Sequence, residues 1–175
     1  MRDQRTRNRD ALALSHRIAV MNGGRVEQLD QPDRIYSYPQ NRFVADFIGT
    51  CNLFDGRISA VDRDRMTLTI DGLGTVATEL VDGAQIGRPG VLALRPEKIG
   101  ISAEIGVHAD ENHFRGIVKE LLYMGDVTVY IVETENGARI EALLANSRSG
   151  RSRLFDVGDT VDVAWRFDAG HFLHE

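Results

Sequence analysis

Arg95-Pro96-Glu97-Lys98 sets three ionisable side chains in one proline-containing stretch between two apolar runs, Val91–Leu94 and Ile99–Ile101. The simplest reading of Arg95, Glu97 and Lys98 is a set of solvated turn charges. The sharper one is a joint, because the stretch lies between two blocks of strand-like sequence, residues 53–90 and 113–173. Other reactive types lack the spacing that chemistry needs. The histidines are His16, His108, His113, His171 and His174, and none forms the i, i+4 pair with a carboxylate that a zinc hydrolase uses. Ser15-His16 and Ser102 have no nucleophile-elbow context. Cys51 is alone, which excludes an intrachain disulfide and a cysteine metal cluster. Arg148, Arg151 and Arg153 lie in a glycine-serine loop and read as solvated, with anion binding as the alternative. No catalytic, cofactor-binding or metal-ligating residue is expected.

Bulk properties narrow the field further. The 175 residues suffice for one or two small domains with real cores. A formal net charge of -5 argues against phosphate-backbone binding, which needs a basic face. No stretch approaches the roughly 20 apolar residues of a membrane span, and residues 1–10 lack the apolar centre of a signal peptide. A cytoplasmic location is the default expectation.

The elements that must position these residues fall into two textures. Ala11–His16 is helix-compatible and reads as the last turns of a helix. Arg17–Met21 and Arg25–Leu29 are strands joined at Asn22-Gly23-Gly24, whose residues reach positive φ cheaply. Pro32 and Asp33 suit a helix start, giving a short helix to Tyr38 that stops near Pro39. Asn41 caps a second helix, Arg42–Ile48, closed by Gly49. Phe43, Val44 and Phe47 share one face of it. From Asn52 the texture is all strand: Asn52–Val61, Met66–Ile70, Thr75–Leu80, Val91–Leu94, Phe114–Gly125, Val127–Glu133, Arg139–Leu144 and Thr160–Phe167. Residues 102–112 and 146–153 read as polar loops. Short strands at such spacing suggest a small barrel or sandwich.

Ala11-Leu-Ala-Leu-Ser, Arg17-Ile-Ala-Val-Met-Asn, Gly24-Arg-Val-Glu-Gln, Pro32, Ile35-Tyr36, Pro39 and Asn41-Arg-Phe-Val-Ala-Asp-Phe-Ile-Gly49 carry a resemblance. In this order they resemble the C-terminal end of the ATP-binding subunit of an ABC importer. The flavour is the polyamine (spermidine/putrescine) type, related to the sugar and ferric-iron importer ATPases. Leu94-Arg-Pro-Glu-Lys98, Gly116-Ile-Val, Tyr123-Met-Gly-Asp126, Asn146-Ser, Val157-Gly-Asp159 and Trp165 through Leu173 are similar to the transport-associated oligonucleotide-binding-fold (TOBE) module of the same subunits. The resemblance implies a mainly β fold. Residues 1–50 would be an α/β tail of a nucleotide-binding domain and 51–175 a TOBE domain, an OB-fold-like small barrel. It also implies a regulatory or dimerising role for the barrel, pairing with a second copy, permease partners, and a place at the inner face of the cell membrane. Tyr36, Tyr38, Phe43 and Phe47 then become candidates for docking on a partner domain.

The departures from the family are equally informative. The switch-histidine position is Thr6, within Thr6-Arg-Asn-Arg-Asp10. There is no G-x-x-x-x-G-K-[ST] loop, and neither Lys98 nor Lys119, the two lysines present, has that setting. A Leu-Ser-Gly-Gly signature and an apolar strand ending in paired acids are also missing. The ATP and magnesium of the whole family therefore find no cradle here, and the chain is not expected to hydrolyse ATP alone. The alternatives are a free-standing TOBE module for small oxyanions and a single-strand nucleic-acid binder, the latter disfavoured by the acidic balance.

Overall fold

The computed structural model describes residues 16–104, 111–146 and 154–174. The expected helical turns at Ala11–Ser15, His108 and the arginine loop at 147–153 lie outside those residues.

The described chain begins with a hairpin, β1 (Ile18–Asn22) and β2 (Arg25–Asp30). Gly23 and Gly24 form its two-residue turn, both at positive φ, as a turn matched to strand twist requires. Helices α1 (Pro32–Ser37) and α2 (Arg42–Ile48) follow. Pro32 starts α1 and Asn41 caps α2, its side chain accepting from the Val44 amide at 2.9 Å. Gly49 closes α2, as expected, at φ 173 in extended backbone. The buried face of α2 is Val44, Ala45 and Ile48. Phe43 and Phe47 stack on each other beside that face, with ring centres 5.4 Å apart.

The rest is β structure: β3 (Asn52–Val61), β4 (Arg65–Ile70), β5 (Gly74–Glu79), β6 (Pro89–Leu94), β7 (Gly100–Ser102), β8 (Glu111–Tyr123), β9 (Val127–Thr134), β10 (Arg139–Ala145), β11 (Thr160–Arg166) and β12 (Gly170–His174). Alternation sets the faces. Met66, Leu68 and Ile70 of β4 and Tyr130 and Val132 of β9 point into the core. Two five-stranded antiparallel sheets result, ordered β12-β6-β3-β4-β5 and β10-β9-β8-β11-β7. Each curls until its two edge strands approach, β12 to β5 and β10 to β7. A single hydrophobic cluster runs through both, from Ile58 and Leu92 to Tyr130, Val163 and Trp165.

The two sheets repeat one plan. β3 carries Asn52-Leu-Phe54-Asp-Gly56-Arg-Ile58 and β8 carries Asn112-His-Phe114-Arg-Gly116-Ile-Val118. Both strands have a register shift at the same place, after Ile58 and after Val118. Both glycines are required by close approach: a Cβ would lie 2.9 Å from the Thr69 carbonyl oxygen at Gly56 and 2.6 Å from the Glu133 carbonyl oxygen at Gly116. An arginine, a 3₁₀ turn and a short strand succeed one another in both units: Arg95, just after β6, Pro96–Lys98 and β7; then Arg166, the last residue of β11, Phe167–Ala169 and β12. That last strand joins the other unit's sheet in both cases. β7 pairs with β11, and β12 pairs with β6. Each unit is therefore completed by a strand of its neighbour.

A candidate regulatory junction at Arg95

Two short helices end near one another, and their last carbonyls have no partner within the helices. Arg95 supplies it. Its guanidinium donates to the Tyr36 carbonyl (Nε 3.2 Å, Nη2 3.0 Å) at the end of α1. Nη1 donates to the carbonyls of Ala45 and Gly49 at 3.0 Å each, and of Thr50 at 3.2 Å, at the end of α2. A cation at two helix C-termini also answers the negative end of each dipole. Lysine could not do this, because a single ammonium lacks the planar fork that reaches two helix ends at once. The solvated-turn reading is thus overturned for Arg95, which is 5% exposed. Glu97 and Lys98 do lie exposed.

Tyr36 completes the junction. The Arg95 guanidinium carbon lies 4.2 Å from its ring centre, and its hydroxyl donates to Glu97 Oε1 at 2.6 Å. Burial, and then the hydrogen bond to Glu97, push the Tyr36 phenol up to about 12. The free cysteine Cys51 sits beside the same arginine. Burial raises its thiol, against a smaller opposing pull from Arg95, so it is a poor nucleophile. Tyr36 is therefore held by Arg95 and Glu97. Of the other aromatic candidates, Tyr38 is half exposed and meets His171 of β12 edge to face at 5.4 Å. Phe47 is also exposed, and Phe43 is half-buried against the small core of Val20, Ile35, Val44 and Ile48. Burial lowers the pKa of His171, with His174 a smaller cause in the same direction.

Side-chain amides do the remaining stitching, a role the sequence reading did not assign. Asn52 donates to the carbonyls of Leu94 and Glu141 and accepts from the Glu141 amide at 2.8 Å. It thereby pairs with the backbone of β10, an edge strand of the other unit. Asn112, in the equivalent place, does the same for β5: it accepts from the Ala77 amide at 2.7 Å and donates to the Ala77 carbonyl at 3.0 Å. Gln28 bridges the Tyr38 carbonyl and the Gln40 amide between the helices. Residues 111 and 112 belong to β8, not to the polar loop expected over 102–112. The repeated Asn-x-Phe-x-Gly was the available signal.

Among the described residues no group of three His, Cys, Asp or Glu side chains is placed to hold a metal ion. His113 faces Glu111 at 3.6 Å. A cleft of about 740 Å³ between the units is lined by Asp55, Asp71, Glu120 and Glu141, with Arg139 paired to Glu120. Asp55 is paired in turn with Arg42, so four carboxylates face two arginines and the cleft is unsuited to an oxyanion.

Residues 92–173 match the family model for the TOBE domain. The chain is 59% identical over 94% of its length to the spermidine/putrescine import ATP-binding protein PotA 2 of Pseudomonas aeruginosa, covering 45% of that protein. It is 52% identical to PotA of Chromobacterium violaceum, over 95% of this chain and 46% of the relative. The match to PotA of Thermobifida fusca is 38% identical, over 94% and 42%. The chain thus spans about half the length of the curated relatives it matches. Among solved structures, the cytoplasmic molybdate-binding protein ModG superposes with a TM-score of 0.62 at 12% identity, over 71% of this chain and 96% of that one. At that identity the likeness is one of fold.

Proposed function

We propose that this chain, which matches the C-terminal part of TOBE-bearing ATP-binding subunits of ABC importers, is the regulatory and dimerising portion of a polyamine importer's ATPase subunit. The observation that carries this reading is an alignment, 59% identical over 94% of the chain, that spans both the helical segment and the β units and not the TOBE domain alone. In this role residues 1–50 are the end of the nucleotide-binding domain, and the Arg95 junction transmits its position to the β units. Tyr38, Phe43 and Phe47 are the side chains left to meet the remainder of that domain. Two copies pair, drive permease subunits, and work at the cytoplasmic face of the membrane. No described helix is long and apolar enough to cross a membrane itself. ATP and magnesium belong to the nucleotide-binding domain that these relatives' names imply, and this chain's residues do no chemistry on them.

The test is a chimera. The C-terminal portion of the Pseudomonas aeruginosa relative is replaced by this chain, and uptake of labelled spermidine is measured in cells lacking the original subunit. Uptake restored to a substantial fraction is expected. A chimera that assembles and hydrolyses ATP but transports nothing overturns the reading.

A further inference from the structure

Asparagine precedes glycine twice in this chain, at Asn22-Gly23 and at Asn136-Gly137, and both pairs are exposed at hairpin turns. Glycine has no Cβ to shield its nitrogen. Its backbone amide can therefore reach the preceding side-chain carbonyl and displace ammonia, one way in which asparagine is a labile residue. That attack needs a glycine N–H free of any acceptor and an asparagine able to leave its native backbone conformation. The two turns differ on both counts, so each serves as a control for the other.

The Asn136 turn is tied down. The Gly137 amide donates to the Thr134 carbonyl at 2.9 Å, and the Ala138 amide to Thr134 Oγ1 at 3.1 Å. The Thr134 amide donates to the Ala138 carbonyl at 2.8 Å. Thr134 is itself buried, and its hydroxyl donates to the Gly72 carbonyl of unit one at 3.1 Å. The attacking nitrogen is thus engaged, and the residue that engages it is anchored on a second turn.

The Asn22 turn has no such anchor. A register shift between Val20 and Met21 leaves two pairs beyond it, Met21 with Val26 and Asn22 with Arg25. Residues 21–26 are all exposed, and nothing lies within 4 Å of where a Cβ would stand on Gly23 or Gly24. Among the described residues the Gly23 amide has no backbone acceptor. A two-pair tip set apart by a bulge opens locally at little cost.

We propose that Asn22 is a site of spontaneous covalent modification, closing on the Gly23 nitrogen to a succinimide, and that the fold protects Asn136 from the same reaction. The Gly23 N–H gives its proton to solvent base and a bond forms from that nitrogen to Asn22 Cγ. The bond from Cγ to the side-chain nitrogen breaks, and ammonia leaves with a proton from water. Water then opens the ring at either carbonyl, giving an aspartyl or an isoaspartyl residue. Both products place a carboxylate opposite Arg25, a favourable cross-strand pair. The isoaspartyl product also adds a methylene to the main chain at the pair that closes the hairpin. The modification is independent of the function proposed above.

The experiment uses the full chain, aged at mildly alkaline pH both folded and unfolded in urea. Peptides carrying positions 22 and 136 are followed by mass. Isoaspartate is counted by methyl transfer from labelled S-adenosylmethionine with an isoaspartyl methyltransferase. In the folded chain position 22 is expected to react at least about tenfold faster than position 136. In urea the two rates are expected to converge, since only the fold distinguishes them. Asn22→Gln, at an exposed position, is expected to remove most of the methyl-accepting signal of the folded chain. Equal rates in the folded chain, or a faster position 136, overturn the proposal. So does a position 22 that stays intact when folded while the unfolded chain reacts at both, and so does a methyl-accepting signal indifferent to Asn22→Gln.

Discussion

Arg95 and Arg166 occupy the same place in the two units, each immediately preceding a 3₁₀ turn at the end of a core strand, yet they do opposite things. Arg95 is buried and grips the ends of two helices. Arg166 lies largely exposed and forms a two-pronged pair with Asp168, at 2.9 Å on each arm, two residues away. One position in a repeated plan has been turned into a fastener, and only where there is a segment to fasten.

Removing that fastener loosens the first segment selectively. Arg95→Met strips the carbonyls of Tyr36, Ala45, Gly49 and Thr50 of their donor. The cost is on the order of 3 kcal/mol. Amide exchange is expected to speed up over residues 18–50 while β9 and β11 keep their protection. Arg95→Lys recovers only part of the loss, since it reaches one helix end at a time.

Asn52→Ala and Asn112→Ala should cost similar amounts, on the order of 2 kcal/mol each, because each leaves a strand edge with an unpaired amide and carbonyl. Urea unfolding checks this. Two asparagines in equivalent places predict matched midpoints; a large inequality would mean that one of the two contacts contributes little.

The Tyr36 phenol is raised by burial and by its bond to Glu97, from 10.0 to about 12. A group with a raised folded pKa contributes stability that is complete below its unfolded value and is lost as pH climbs towards the folded one. The Tyr36 contribution is therefore present up to about pH 10 and lost between there and about pH 12. Tyr36→Phe is expected to flatten that part of the stability–pH curve, measured by urea midpoints across the range.

His171 gives the opposite slope. Burial holds its pKa below the usual 6.5, so the unfolded chain takes up the proton first as pH falls. Stability is present above 6.5 and is lost as the pH drops through the folded value. The titration of the imidazole Cε1 proton is expected to show a midpoint below 6.5, moving up towards it when Tyr38→Ala opens the ring contact.

Much of this architecture is legible in local pattern. Asn52–Val61 begins and ends where the sequence places it, and the alternation of Met66–Ile70 and of Val127–Glu133 marks which side chains enter the core. Asn22-Gly23-Gly24 announces its turn. The misreadings share one cause, a polar group whose partner is distant in sequence. Asn112 looks like loop because asparagine favours turns, but its amide is spoken for by Ala77 in another sheet. Arg95 looks solvated because its turn is charged, while its acceptors lie on helices some fifty residues earlier. The exchange of β7 and β12 leaves no trace in periodicity, since the alternation is the same whichever sheet receives the strand.

That exchange also sets an order of events on the ribosome. Unit one precedes unit two along the chain, yet its sheet is finished by β12, whose Phe172 and Leu173 are made after every other described strand. It must emerge and wait with β6 uncovered on one side, while unit two, which borrows the already synthesised β7, can close as soon as β11 has appeared. The half translated second is thus the half able to mature first, and the earlier one is sealed from behind.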